Sequence, residues 1–245
     1  MTELIYPATV VLLGYVVLGI TGFGSALIVV PLLAWRWPLP EVVALTLLMD
    51  VPASILLSGL NLRQVDFGEL RRLLPGMAAG AVAGLWLSGV LDARWPLLAL
   101  GLYVAAVGLN ALRPRLAAPR PLAAPWAHGM GFGIGLVEML FGTAGPLVVA
   151  WLSRRLQNVH ALRASTPLII VAGAGTVLLG MAWVGRLSSG ALWWRWAGLI
   201  GLALLGVLMG NRLARHVPAP RLRQLICGLL VISGLMLVRH AWTPA

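Results

Sequence analysis

Apolar residues run along this chain in long unbroken stretches, at about 4–35, 40–61, 69–91, 95–112, 126–153, 160–185, 190–211 and 222–239. They show neither the alternation of barrel strands nor the one-sided stripe of a soluble helix. A helix of roughly 20 apolar residues crosses the ~30 Å hydrocarbon core of a bilayer, so the pattern predicts an all-α integral membrane protein. Polar joints separate the stretches at 63–72, 92–94, 154–163 and 212–223. A further joint, 113–125, holds three arginines and four prolines and reads as a stiff surface linker.

That linker divides a single transmembrane domain, 1–245, into two similar halves, repeat one at about 4–112 and repeat two at about 126–241. Under a shift of 120 residues Gly22 meets Gly142, Leu27 meets Leu147, Val29 meets Val149 and Leu32 meets Leu152. The register continues through Ala44 and Ala164, Thr46 and Thr166, Leu48 and Leu168, and Val51 and Val171. Internal duplication is a signature of transporter folds.

The first segment of each half is too long for one crossing. As a single helix Leu4 to Trp35 would measure about 48 Å. Its middle reads Gly19-Ile20-Thr21-Gly22-Phe23-Gly24-Ser25, and the second copy reads Phe141-Gly142-Thr143-Ala144-Gly145-Pro146. Glycine weakens a helix and permits a break. Pro146, without an amide hydrogen, suits the first turn of a new helix. Each segment therefore reads as two half-helices joined by unwound backbone, followed by three transmembrane helices.

Composition sharpens the picture. At 60% hydrophobic and 10% charged residues, the chain lacks the polar surface of a soluble enzyme, whose charged fraction is about 25%. The net charge of +11 comes from 18 arginines and no lysine. Because those arginines fall between apolar runs, they speak for topology and anionic headgroups, and no basic domain is left to bind nucleic acid. Eight single crossings would divide them nine and nine. Re-entrant hairpins at segments one and five instead place 13 of the 18 on one face, as the positive-inside rule favours. Each half then crosses an odd number of times, so the halves insert in opposite senses with both chain ends outside the cytoplasm. The competing arrangement is eight plain crossings with parallel halves. The start, Met1 to Pro7, has no basic residue, so the first apolar run is expected to stay in the mature protein.

Candidate chemistry gathers at the breaks. Unwound backbone survives in lipid only where protein buries it or where it lines a polar cavity, and a helix restarting there offers free amides and a positive dipole end to an anion. This nominates Thr21, Gly22, Phe23, Gly24 and Ser25 with Gly142, Thr143, Ala144, Gly145 and Pro146 as substrate-binding residues. The alternative is that these glycines only let helices pack closely. Thr46 and Thr166, paired by the repeat, are further candidates, although a membrane threonine often bonds its own backbone. Asp50 and Glu138 are the two acids well inside apolar runs. Intramembrane acids are costly and functionally suspect. A protonatable role suits them in an anion carrier better than a fixed charge, and a structural partnership with an arginine is the alternative.

Other chemistry is thinly represented. His128, His160, His216 and His240 lie near segment ends without metal-ligand spacing, and Cys227 is the single cysteine, so no metal or cofactor is expected. Trp35, Trp37, Trp95, Trp126 and Trp193 to Trp196 read as an interfacial belt. Gly-x-Ser-x-Gly is absent, since position 27 is Leu, and no Gly-x-x-x-x-Gly-Lys-Ser/Thr appears, so neither a serine hydrolase nor a nucleotide-driven pump is indicated.

Gly19-Ile-Thr-Gly-Phe-Gly-Ser-Ala-Leu-Ile-Val-Val-Pro31-Leu-Leu33 resembles the opening signature of the TauE/SafE family of sulfite and organosulfonate exporters, and Gly142-Thr-Ala-Gly-Pro-Leu-Val-Val149 resembles its repeated copy. The likeness extends to segment layout over essentially the whole chain. It departs at Ala144 and Trp151, where the family's second copy more often carries glycine and proline. The resemblance implies an inner-membrane, multi-pass bacterial permease for small sulfur-containing anions; the sequence itself leaves the oligomeric state open, a homo-oligomer included. A secondary transporter using alternating access, with proton coupling through Glu138 or Asp50, is the expectation. A channel or carrier for a cation or neutral metabolite, and a non-transporting membrane subunit, are the alternatives.

Overall fold

The computed structural model describes residues 2–59, 65–92, 94–112, 123, 125–156 and 159–214, with 231, 234, 235, 238 and 239. Within them all regular secondary structure is helical, in nine helices: α1 (Thr2–Thr21), α2 (Ser25–Leu33), α3 (Leu39–Gly59), α4 (Phe67–Val90), α5 (Arg94–Leu112), α6 (Trp126–Phe141), α7 (Gly145–Arg155), α8 (Val159–Trp183) and α9 (Gly190–Leu213). Four of them, 39–59, 67–90, 164–183 and 190–213, are long and apolar enough to cross a membrane. The last apolar stretch, 222–239, lies almost wholly outside the described residues, as do most of the 113–125 linker, Cys227, His216 and His240.

Both over-long segments are interrupted at their glycine clusters. α1 stops at Thr21 and α2 starts at Ser25, with Gly22 at φ 84° and Gly24 at φ 99°. This left-handed backbone is open to glycine at little cost and to other residues rarely. α2 then runs back beside α1: the Tyr6 hydroxyl donates to the Leu32 carbonyl at 2.8 Å. A Cβ on Gly14 would sit 3.1 Å from the Ser25 carbonyl oxygen. In the second segment α6 ends at Phe141, Gly142 takes φ 65°, and α7 begins at Gly145 with Pro146 in its first turn.

Glycine also sets the helix packing. α4 lies along α6 and α9 lies along α1. A Cβ at Gly80 of α4 would be 2.8 Å from the Leu136 amide, and one at Gly135 of α6 would be 2.9 Å from the Ala81 amide. On the other pair, a Cβ at Gly19 would be 2.8 Å from the Asn211 amide, and one at Gly210 would be 3.0 Å from Gly19 Cα. In lipid, where apolar burial gives little drive for helices to associate, such backbone proximity maximises dispersion contact. α3 and α8 cross at the centre and fill the core with Ala53, Met49, Ala174, Val177 and Met181.

Charges mark the two ends of the bundle. Glu69, at the start of α4, binds Arg155 at the end of α7 (Nη2–Oε1 3.0 Å), and the Asp66 amide donates to Ser165 Oγ at 2.9 Å. Joints 65–72 and 154–165 therefore share one end. Arg186, after α8, instead donates to Ser88 Oγ at 2.8 Å, about 28 Å along α4 from Glu69.

Replacing Gly80 with Leu is expected to force α4 off α6 and lower the Tm of the detergent-solubilised protein by roughly 5 °C or more, an overpacking cost of about 1–3 kcal/mol. Gly175→Ala, which meets nothing within 4 Å, should leave Tm unchanged. Equal melting of the two variants would contradict the close-packing account.

Candidate functional site

The two interruptions border one cavity. Leu18, Gly24, Ser25 and Ala26 line it from the first break, Gly142, Thr143, Ala144 and Gly145 from the second, with Asp50, Glu138 and Ile170 closing it. The space they enclose is small, with room for about one water molecule. Residues some 120 positions apart meet because Phe23, the tip of the first break, packs on the second: a Cβ on Gly145 would lie 3.1 Å from Phe23 Cδ2. Val30 and Val43 press on Gly142 in the same way.

Each restarted helix enters this cavity uncapped. Gly24 and Ala144 stand at the N-cap positions of α2 and α7, and neither end carries a side-chain cap. By contrast α4, which starts at a polar end of the bundle, is capped by Asp66, whose side chain accepts from the Gly68 and Glu69 amides. The first amides of a helix lack intrahelical partners and carry the positive end of its dipole. Both tips thus bring partial positive charge to one place; at α7 the donor is the Gly145 amide, since Pro146 has none and the Leu147 amide donates to the Ala144 carbonyl at 2.9 Å.

The two intramembrane acids sit among these donors. Asp50 (4% exposed) accepts a 2.8 Å hydrogen bond from Ser25 Oγ, and Tyr15 lies against the same carboxyl from α1. Glu138 (1% exposed) lines the cavity with Oε2 unpartnered. Its carboxylate fits because residue 173 is glycine; a Cβ there would lie 2.9 Å from Glu138 Cδ, and Oε2 would be closer still. Tyr103 faces Glu138 from α5 and stacks on Phe141 at 5.9 Å. Among the described residues no arginine or histidine lines it.

The remaining nominated residues stand outside the lining. Thr21 turns back into the break, its hydroxyl donating to the Val17 carbonyl at 2.8 Å and lying against the Phe23 carbonyl. Gly22 supplies the left-handed turn, and Pro146 occupies the first turn of α7. Thr46 and Thr166 are buried and donate to the carbonyls of Val42 and Leu162, both at 2.8 Å, so each satisfies its own helix. His128 does not border the cavity, the side chain of His160 lies outside the described residues, and among the described residues no cluster of three or more metal-ligating side chains occurs.

A second polar cluster was not anticipated. Glu69, buried, accepts from Trp151 Nε1 at 2.8 Å, from Arg155 Nε at 3.1 Å and from Arg72 Nη1 at 2.7 Å. Trp151 is one of the two residues that depart from the family-like pattern of the second copy, and it is wholly buried. Its indole ties the far end of α7 to the start of α4, which holds the second break in place. The departure at 151 was the available signal; its partner 82 residues away was not legible.

A profile described as sulfite exporter TauE/SafE matches residues 7–237. Over 199 residues, covering 81% of this chain and 83% of the relative, the sequence is 45% identical to a protein of Comamonas testosteroni named probable inner membrane transporter protein TsaS. No solved structure matches.

Trp151→Phe keeps one aromatic ring and removes the donor, leaving Glu69 Oε2 without that partner. The expected cost is about 1–3 kcal/mol, read as a lower Tm. A variant melting with the wild type would show that the indole hydrogen bond does not anchor α7.

Proposed function

Since the chain belongs to the sulfite exporter TauE/SafE family and is a multi-pass inner-membrane transporter, we propose that it is a secondary transporter of a small sulfur-containing anion. Sulfite or an organosulfonate would move by alternating access around the cavity between the two breaks. The observation that carries the reading is the convergence of two uncapped helix starts on one cavity. An anion completes both ends without a buried cation. The Ser25 and Thr143 hydroxyls add donors.

Asp50 and Glu138 act in this reading as proton carriers. Two charged carboxylates beside an anion would repel it, and no arginine among the described lining residues offsets them. Asp50 already accepts the Ser25 hydroxyl, so carboxylate and solute compete for one donor. Protonating Asp50 decides that competition for the solute and couples its movement to protons.

The halves are proposed to be inverted repeats, each a re-entrant hairpin followed by three crossings. The exchange of partners, α4 on α6 and α9 on α1, supports a two-fold relation. The Glu69–Arg155 pair supports the hairpins, because eight single crossings would put joints 63–72 and 154–163 on opposite faces. A second reading, favoured by the two cavity acids, is a cation carrier.

Proteoliposomes preloaded with sulfite should accumulate radiolabelled sulfite by counterflow. Ser25→Ala should weaken the half-saturating concentration by roughly tenfold or more, the worth of one hydrogen bond to a charged group. Uptake no greater than in protein-free vesicles, together with uptake of a labelled divalent cation, would replace the anion reading with the cation one.

For topology, Ala118→Cys and Gln157→Cys, each in a Cys227→Ser background, should react with an impermeant thiol reagent from the same side. Labelling from opposite sides would favour plain crossings.

A further inference from the structure

α3 carries a polar line that leads away from the cavity. Asp50, Ser54 and Ser58 recur every four residues on one face, each step covering about 6 Å of helix axis. Ser54 is 0% and Ser58 3% exposed. Small hydroxyl residues inside a membrane helix ordinarily satisfy themselves on a carbonyl one turn back. Thr46, Thr166 and Thr176 do so here, on Val42, Leu162 and Gly173. Ser54 and Ser58 do not, and their Oγ atoms are buried without any partner.

Among the described residues the other unpartnered buried side-chain atoms are Glu138 Oε2, in the cavity, and the hydroxyl of Tyr103, which faces Glu138. Unpaired polar atoms therefore concentrate around the cavity and along this one face of α3. Buried polar groups with no protein partner are where structural water is held. The line runs from Asp50 toward Gly59, the end of α3. Beyond it the chain enters the joint that holds Arg63, Asp66, Arg71 and Arg72.

We propose that Ser54 and Ser58 line a file of water that carries protons between Asp50 and the arginine-rich end of the bundle. The inference rests on the proton-carrying role given above to Asp50. Protons hop along the file, each serine hydroxyl accepting one proton and releasing its own, so no net charge is left in the helix. Facing Asp50 are Tyr15 from α1, Ser25 from α2 and Glu138 from α6, while α8 contributes the apolar Ile170. The Glu41–Arg195 ion pair involves the opposite, N-terminal end of α3.

The test uses the reconstituted full chain and requires no substrate. After a pH jump, infrared difference spectroscopy follows the Asp50 carboxyl band, assigned by its loss in Asp50→Asn. The Ser54→Ala/Ser58→Ala double variant should show the same band change roughly tenfold more slowly, with the threonine pair restoring the rate. An Asp50 band that responds at the wild-type rate in the double variant overturns the file and leaves the proton-carrying role standing. A carboxyl that never responds to pH overturns both.

An independent readout is thiol labelling in the Cys227→Ser background. Ser54→Cys and Ser58→Cys should react with a small water-soluble thiol reagent, whereas Ala53→Cys, buried at the same depth, should not. Equal protection of all three positions would overturn the file even if a serine pair lost to alanine failed to fold.

Discussion

A backbone amide or carbonyl left without a partner in hydrocarbon costs several kcal/mol, and this penalty organises the whole molecule. Breaking a membrane helix at Gly22–Gly24 releases such groups, and so does breaking one at Gly142–Ala144. Neither interruption can face lipid. The fold places them against each other, Phe23 on Gly145, with both enclosed by α3, α6 and α8. A cavity with exposed donors is the consequence of having two breaks to hide.

Closeness of backbones makes that enclosure attainable. Gly76, Gly80, Gly131 and Gly135 bring α4 onto α6, and Gly19, Gly206 and Gly210 bring α9 onto α1. Each broken segment is thereby clamped by a long unbroken helix. Trp151 and Glu69 then fix the outer end of α7 from 82 residues away. The same economy appears at Gly173, where the missing side chain is the space that the Glu138 carboxylate fills.

How much of this was legible depended on whether a signal was local. The breaks were readable because glycine spacing and an over-long apolar run are properties of contiguous residues. Asp50 and Glu138 stood out because a charge amid apolar neighbours needs no partner to be noticed. Thr46 and Thr166 share a repeat position, yet both satisfy carbonyls four residues back, an outcome that periodicity leaves open. Tyr15, Phe23's seat on Gly145, the Trp151–Glu69 bond and the role of Gly173 are contacts between distant segments. No local pattern encodes them.

The most direct test of the central claim is to locate an anion. Selenite is a heavier analogue of sulfite, and selenium marks itself by anomalous scattering. In crystals of this protein grown with selenite, and with ordinary methionine, the account predicts a selenium peak in the cavity bounded by Ser25, Thr143 and Gly145, within hydrogen-bonding distance of the first amides of α2 and α7. A peak confined to the arginine-rich joints, with none between the two breaks, would contradict it.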